Sequence, residues 1–177
     1  MSIQQDIQHL LADPSVEDRS PAMAACGLGQ SGFGQLDGQE LLAAMVCRAF
    51  PGRIALVSSF GAEAALLLAM LADIDRHVPV IFLDTGKHFP ETLMYRDVLV
   101  RRFGFSHVRT IKPEPADLKM SDPTGELWRT DPDQCCHLRK VLPLKRALAP
   151  FGAWITGRKR FQGAGRATLA AVEYMGD

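Results

Sequence analysis

The segment RIALVSSFGAE, residues 53–63, sets the pattern for the rest of the chain. Its first half is short and apolar, and it predicts a buried strand over residues 53–59. The polar turn at residues 58–61 leads directly into a helix predicted over residues 62–72. Backbone N–H groups at such a helix start, together with serine hydroxyls, can bind a phosphate or sulfate group. An ordinary strand-to-helix turn is the alternative interpretation.

Strand and helix signals alternate on both sides of this segment. Three more strands are predicted, at residues 78–83, 107–111 and 153–156. Further helices are predicted over residues 37–50, from Pro90 onward, over residues 135–148 and over residues 167–174. Alternating strands and helices predict an α/β fold, in which a mostly parallel, twisted sheet has helices on both faces. Such sheets bind ligands at the carboxyl ends of their strands. Residues 113–132 contain four prolines and are predicted to form a long loop.

A second polar segment, LDTGKHFPET at residues 83–92, follows the second predicted strand. The backbone of such a loop can hold a nucleoside, with Asp84 and Thr85 ordering the turn. Simple capping of the turn by these two side chains is the alternative. We interpret His88 as a solvated loop residue.

The chain has four cysteines, which are Cys26, Cys47, Cys135 and Cys136. They are too few to form a disulfide framework in a chain of this length. Two neighbouring thiolates such as Cys135 and Cys136 can each bind a different iron of a cubane cluster, and the positive charges of Arg139 and Lys140 would offset the cluster charge. Zinc bound with the help of His137, or two unligated thiols, are the alternatives.

The basic residues are distributed unevenly within a net charge of zero. Residues 139–166 contain eight basic side chains and no acidic one, whereas residues 1–138 contain 12 basic and 18 acidic ones. The segment ITGRKRFQ, residues 155–162, leaves the last predicted strand as a basic loop. Its Arg158 and Arg160 could bind phosphate or sulfate oxygens in a bidentate manner. Nucleic acid is the rival ligand, but only Phe161 in this loop could stack on a base, so we predict no nucleic-acid partner.

The composition is typical of one globular domain, since 47% of the 177 residues are hydrophobic and 23% are charged. We predict an N-terminal arm over residues 1–36 and a single domain over residues 37–177. The longest apolar run, residues 64–72, is too short to cross a bilayer, and the N-terminus lacks the pattern of a signal peptide. We therefore expect a cytoplasmic protein with no membrane partner, and leave open whether it forms a homo-oligomer.

Four segments, in this order, resemble the assimilatory adenylyl-sulfate and phosphoadenylyl-sulfate reductase family, of the adenine nucleotide α-hydrolase-like superfold. They are SSFGAE at 58–63, LDTGKHFPET at 83–92, LWRTDPDQCCHLRKVLPL at 127–144 and ITGRKRFQ at 155–162. The resemblance implies an enzyme of sulfate assimilation and cysteine biosynthesis that reduces adenylyl-sulfate to sulfite and AMP. In that family a thiolate attacks the sulfur of the sulfonucleotide, which leaves a cysteine S-sulfonate and AMP, and thioredoxin then releases sulfite.

The same resemblance implies roles for individual residues. The residues expected to face the phosphosulfate are Ser58, Ser59, Phe60 and Gly61. Those expected to line the adenosine are Leu83, Asp84, Thr85 and Gly86. Arg158 and Arg160 would hold the anion, and Lys140 would have a catalytic role by linking a cluster to the substrate. Cys135 and Cys136 resemble half of the ligand set of a 4Fe-4S cluster, in the branch of the family that prefers adenylyl-sulfate over its 3′-phosphorylated form.

The sequence departs from the family pattern near its end. In the family, a second cysteine pair and the nucleophilic cysteine, in a Glu-Cys-Gly-(Leu or Ile)-His tail, follow the arginine loop. No cysteine follows Cys136 in this chain. We therefore expect an incomplete chain that binds the nucleotide but does not hold a stable cluster. The alternatives are a phosphoadenylyl-sulfate reductase, an ATP-using adenylating enzyme of the same superfold, and a non-catalytic nucleotide-binding remnant.

Overall fold

A computed structural model of the chain describes residue 36, residues 38–158, residue 166 and residues 168–173. It contains four strands, β1 (Ile54–Val57), β2 (Val80–Leu83), β3 (Val108–Ile111) and β4 (Ala153–Thr156). They form one sheet in the order β3-β2-β1-β4, and every neighbouring pair is parallel. The predicted α/β fold with a parallel sheet is confirmed.

The helices of the first half connect the first three strands. Helix α1 (Gly38–Ala44) continues as a π-helical turn (Met45–Ala49) before β1, α2 (Ala64–Ile74) joins β1 to β2, and α3 (Pro90–Phe103) joins β2 to β3. Helix α2 contacts both α1 and α3. The chain steps across the sheet in one direction from β1 to β3 and then returns to β4. Right-handed crossovers therefore place the early helices and the returning segment on opposite faces.

The returning segment between β3 and β4 is helical over most of its length. It contains α4 (Pro115–Ser121), α5 (Leu127–Thr130), α6 (Pro132–Cys136), a π-helical segment (His137–Val141) and α7 (Leu142–Leu148), which contacts β2 and β3. The prediction of a long loop over residues 113–132 is therefore wrong. Pro115 and Pro132 each begin a helix, where the missing N–H of proline is tolerated, instead of interrupting one.

The centre of the sheet is buried on both faces, which explains why its strands are almost continuously apolar. Leu56, Val80, Ile81 and Phe82 have no exposed surface. The core cluster on the α1 to α3 side includes Ala43, Val46, Leu68, Leu71 and Leu99. This packing fixes the positions of the strands. The polar turns lie at the carboxyl ends of the strands.

Two predictions concern the ends of the chain. The helix predicted over residues 167–174 is wrong over residues 168–173, which form turns and bends. Most of these side chains are exposed, and so short a helix is unstable without packing. The predicted arm, residues 1–36, lies outside the described residues except for residue 36, so the domain division stays a prediction. Within the described parts of the chain, every helix is too short or too polar to cross a bilayer.

Candidate functional site

The carboxyl ends of the four strands lie at one edge of the sheet because all strands run in the same direction. Val57 of β1 pairs with Ile81 of β2 and with Thr156 of β4. The chain leaves β1 toward β2 and later returns on its other side as β4, which is the kind of reversal where open α/β sheets bind ligands. Three polar segments follow these strand ends, at residues 58–61, 84–88 and 157–158.

The two serines of the turn after β1 (residues 58–61, the serine turn) have different surroundings. Ser58 is buried, and its Oγ accepts a hydrogen bond of 3.1 Å from the Phe60 backbone N–H. Ser59 is exposed, and its Oγ lies 3.4 Å from the backbone N of Gly61. Ser58 therefore stabilises the turn, while Ser59 and Gly61 stand open to solvent just before α2.

The loop after β2 is ordered by its own side chains. The Gly86 N–H donates to Asp84 Oδ1 over 3.0 Å, and the Lys87 N–H donates to Thr85 Oγ1 over 3.3 Å. Gly86 has a φ of +71°, which favours glycine over other residues. Lys112 Nζ lies 3.5 Å from Asp84 Oδ2. Asp84 and Thr85 thus cap the turn, as the alternative interpretation of this segment expects.

His88 has a more structural role than the sequence suggested. Its Nε2 lies 2.8 Å from the carbonyl oxygen of Leu83, and its ring centroid lies 5.0 Å from that of Phe82. The side chain is half-buried. The interpretation of His88 as a solvated loop residue is wrong, because the ring packs on Phe82 and closes the loop back onto the end of β2.

Arg139 also contacts this loop, a contact that sequence analysis missed. Its buried guanidinium donates from Nη1 to the carbonyl oxygen of Thr85 over 2.8 Å. Its Nη2 lies 2.5 Å from Asp122 Oδ2. The sequence carries no local signal for this contact, because the burial of Arg139, and of Cys135 four residues before it, is visible only in the structure.

The carboxylate of Asp122 is held in its ionised form. The hydrogen bond from Arg139 lowers the pKa of Asp122 from its ordinary value of 3.8, while burial acts in the opposite direction. A hydrogen bond from the Leu127 N–H and the positive charge of Lys87 lower the pKa further. This part of the site is therefore a fixed ion pair at neutral pH.

The arginine loop is described only at its start. Arg158 is exposed just beyond β4, and its Nη2 lies 3.3 Å from Glu173 Oε2. Arg158 and Ser59 each come two residues after the paired residues Thr156 and Val57, so they belong to neighbouring strand ends. Arg160 lies outside the described residues.

The sequence of this chain matches a known protein family. Residues 53–177 match the model of the phosphoadenosine phosphosulfate reductase domain. The chain belongs to this family. The match begins just before β1 and includes all four strands, the serine turn and the loop after β2.

Individual relatives of the family agree with this assignment. The chain is 52% identical over 159 residues to an adenosine 5'-phosphosulfate reductase of Mesorhizobium japonicum, which covers 90% of this chain and 62% of the relative. It is 38% identical over 136 residues to a phosphoadenosine 5'-phosphosulfate reductase of Gloeobacter violaceus, covering 76% of this chain and 56% of the relative. The chain therefore spans less than two thirds of the length of either.

A solved structure shares the fold. The phosphoadenylyl-sulfate reductase of Candida auris, in a crystal structure of its phosphate complex, matches with a TM-score of 0.57 and 25% sequence identity. The match covers 89% of this chain and 69% of that chain. The adenine nucleotide α-hydrolase-like architecture expected from the sequence is consistent with this neighbour.

The cysteine pair of this reductase-family chain does not by itself fit a four-iron cluster. Cys135 is buried at the end of α6, and Cys136 is exposed beside it. Among the described residues, no three His, Cys, Asp or Glu side chains lie together in a way that could hold a metal. A 4Fe-4S cluster needs four thiolates, of which these cysteines supply two. Lys140 is exposed in the following π-helical segment.

The structure thus brings most of the predicted binding residues to one edge. Ser59 and Gly61 open to solvent after β1, the loop from Leu83 to Gly86 follows β2, and Arg158 follows β4. An exposed helix start and an arginine suit an anion, and an ordered loop on the neighbouring strand suits a nucleoside.

Proposed function

We propose that this chain forms the sulfonucleotide-binding part of an adenosine 5'-phosphosulfate reductase, which reduces adenylyl-sulfate to sulfite and AMP. The observation that carries the proposal is the convergence of the serine turn, the loop after β2 and Arg158 at one carboxyl edge of the sheet. The 52% identity to a relative of that name supports the same substrate. The shared family and the neighbouring Cys135 and Cys136 agree with it.

In this proposal the ligand lies across the neighbouring strand ends. The Ser59 hydroxyl and the backbone N–H groups near Gly61 face the phosphosulfate, since they are exposed and precede α2. The loop from Leu83 to Gly86 lines the adenosine. Arg158 and Arg160 neutralise the anion, and Arg158 exchanges its exposed partner Glu173 for the ligand. Lys140 approaches the substrate from the cysteine segment.

The proposed reaction transfers the sulfonate group and then two electrons. A cysteine thiolate forms a bond to the sulfur of adenylyl-sulfate while the bond from that sulfur to the phosphate oxygen breaks, and AMP leaves. A thioredoxin thiolate then attacks the cysteine sulfur, sulfite leaves, and the resulting mixed disulfide resolves with oxidation of thioredoxin to its disulfide. The attacking cysteine is not assigned to any of the four cysteines of this chain. We place the reaction in the cytoplasm, where thiols stay reduced.

Isothermal titration of the 177-residue chain with adenylyl-sulfate tests the binding role. The wild-type chain is expected to bind, and Ser59→Ala and Arg158→Gln are expected to bind more weakly. Arg146→Gln is the matched control, because Arg146 forms exposed ion pairs with Glu114 and Asp117, which belong neither to the serine turn nor to the loop after β2. Absence of binding by the wild-type chain, or equal losses in all three variants, would contradict the proposal.

Two further assays separate this function from its alternatives. Competition between adenylyl-sulfate and phosphoadenylyl-sulfate tests the preference for the form without a 3′-phosphate, and a reversed preference would favour the reaction named for the Gloeobacter violaceus relative. Incubation with adenylyl-sulfate and reduced thioredoxin is expected to give negligible sulfite from this chain. Release of pyrophosphate from ATP would instead indicate an adenylating enzyme.

A further inference from the structure

The loop after β2 is fastened to the cysteine-bearing helical segment by a buried ion pair. Arg139, in the π-helical segment after α6, donates to the Thr85 carbonyl oxygen over 2.8 Å and pairs with Asp122 over 2.5 Å. The side chains of Arg139 and Asp122 are only 8% and 1% exposed. One guanidinium therefore joins three separate stretches of the chain at a point shielded from water.

A second contact fastens the same loop nearby. Lys87 Nζ donates to the carbonyl oxygen of Gly125 over 2.7 Å, and the Gly125 N–H donates to the carbonyl oxygen of Asp122 over 3.1 Å. The loop is thus held at Thr85 by Arg139 and at Lys87 by the turn over residues 122–125. Its conformation depends on that turn as well as on its own capping bonds.

Stability alone does not account for this ion pair. A buried pair of charges contributes little net stability compared with apolar side chains of the same volume, because both charges lose their water. In addition, Arg139 Nε is buried and has no hydrogen-bond partner among the described residues. An unpaired buried N–H is costly. The pair instead fixes the relative positions of its partners, because the planar guanidinium directs two donors at two acceptors, the Thr85 carbonyl oxygen and the Asp122 carboxylate.

We propose that Arg139 and Asp122 are positioning residues, which hold the loop from Leu83 to Gly86 in the conformation that accepts the adenosine of the sulfonucleotide. The proposal rests on the proposed function for the identity of the ligand. It also links the two parts of the site, because Arg139 lies three and four residues after Cys136 and Cys135. A displacement of the cysteine segment is then transmitted to the nucleotide loop through one side chain.

Binding measurements on conservative variants test this role. Arg139→Lys keeps the charge but replaces the planar two-nitrogen fork with one ammonium on a flexible stem, which does not hold the Thr85 carbonyl and Asp122 in fixed directions. Asp122→Asn keeps the shape without the charge. Both variants are expected to bind adenylyl-sulfate and AMP about tenfold more weakly or worse, the size of effect expected for a charged hydrogen bond. The double variant is expected to bind no more weakly than the worse single variant, because the two residues act as one pair. Arg146→Gln is the control and is expected to bind like the wild type.

Hydrogen exchange of the ligand-free chain tests the positioning directly. Both variants are expected to exchange faster than the wild type at residues 84–88, while β1 and β2 keep their protection. Lys87→Met removes the exposed second contact and leaves Arg139 and Asp122 in place. It is expected to give a smaller change at the same residues, and it replaces the buried variants in this test if they do not fold. Faster exchange across the whole sheet, or no local change in any variant, would overturn the inference.

The two measurements distinguish this inference from the proposed function. If the wild-type chain does not bind adenylyl-sulfate, the proposed function fails, yet the exchange data still report whether Arg139 holds the loop. If the wild type binds and the variants bind equally well with unchanged exchange at residues 84–88, the proposed function stands and the positioning role is wrong.

Discussion

The rings of Phe60 and Phe82 meet edge to face, with centroids 5.7 Å apart and an interplanar angle of 80°. Phe60 belongs to the serine turn after β1, and Phe82 belongs to β2. Phe82 also borders the His88 ring and lies under the Arg96 guanidinium at 5.1 Å. The two loops of the candidate site therefore rest on a shared aromatic support, and Phe60 is held there with a φ of 52°.

Truncation of Phe60 is expected to destabilise the fold strongly. Phe60 is fully buried, so Phe60→Ala leaves a cavity against Phe82 and is expected to lower the free energy of unfolding by about 3–5 kcal/mol. Phe89→Ala is the control, because Phe89 is 77% exposed, and a change within about 0.5 kcal/mol is expected. Urea unfolding measures both, and similar losses in the two variants would contradict the burial of Phe60.

Removal of the hydroxyl is expected to lower stability at one serine of the turn and to weaken nucleotide binding at the other. Ser58→Ala leaves the buried N–H of Phe60 without its acceptor and is expected to lower the free energy of unfolding by about 1–3 kcal/mol. Ser59→Ala removes an exposed hydroxyl and is expected to weaken nucleotide binding with little loss of stability. Urea unfolding and calorimetric titration on the same two proteins check the pair. Loss of stability in Ser59→Ala alone would reverse these assignments.

The buried carboxylate of Asp122 is expected to give the fold a specific acid sensitivity. Its folded-state pKa is lowered, chiefly by the hydrogen bond from Arg139, so its stabilising contribution is complete at neutral pH. That contribution begins to fall as the pH approaches the ordinary value of 3.8 and is lost as the pH drops through the lowered pKa of the folded state.

Urea unfolding between pH 7 and pH 3 measures this sensitivity. The wild type is expected to lose stability with falling pH more steeply than Asp122→Asn, which cannot take up the proton. Asp97→Asn provides the control, because Asp97 is half-exposed beside Arg96. Parallel pH curves for the wild type and Asp122→Asn would show that Asp122 is not linked to folding.

The neighbouring cysteines are expected to differ in accessibility. Cys136 is exposed and Cys135 is buried, so iodoacetamide is expected to modify Cys136 first in the native chain. In urea the two are expected to react at similar rates, because the difference comes from burial. Mass spectrometry of the modified peptides follows each site, and earlier modification of Cys135 would contradict the structure of α6.

Reconstitution with iron and sulfide is expected to leave this chain without a stable 4Fe-4S cluster. Cys135 and Cys136 supply two thiolates, whereas the cluster takes four. Iron and sulfide analysis together with visible absorption after desalting checks this expectation. Four irons and four sulfides retained per chain would show that other groups complete the ligand set.

The sheet could be predicted from sequence because its signals are local. The apolar runs gave β4 at its observed boundaries and placed β1, β2 and β3 within two residues of theirs. Their common direction followed from the alternation with helices. The prolines of residues 113–132 misled the prediction, because proline both breaks helices and begins them, and its role depends on its position in the first turn.

The contacts that hold the site together could not be predicted from the sequence. Arg139 and Asp122 lie 17 residues apart, and the Thr85 carbonyl is 54 residues from Arg139. Nothing in the local sequence around Asp122 distinguishes it from a surface carboxylate. Only the folding of the returning helices across the sheet brings these groups together, so their pairing is a property of the tertiary structure.

The pairing of β4 with β1 also has a consequence for how the protein is made. Ile54 faces Ala153, near opposite ends of the described chain. Pairing between residues so far apart in sequence slows folding, because the loop must be closed before the strand contacts form. A nascent chain can contain the serine turn before β4 has been made. Under the proposed function, adenylyl-sulfate is then expected to bind only after β4 has paired with β1. If the proposed function holds, the affinity for adenylyl-sulfate therefore reports whether β4 has joined the sheet.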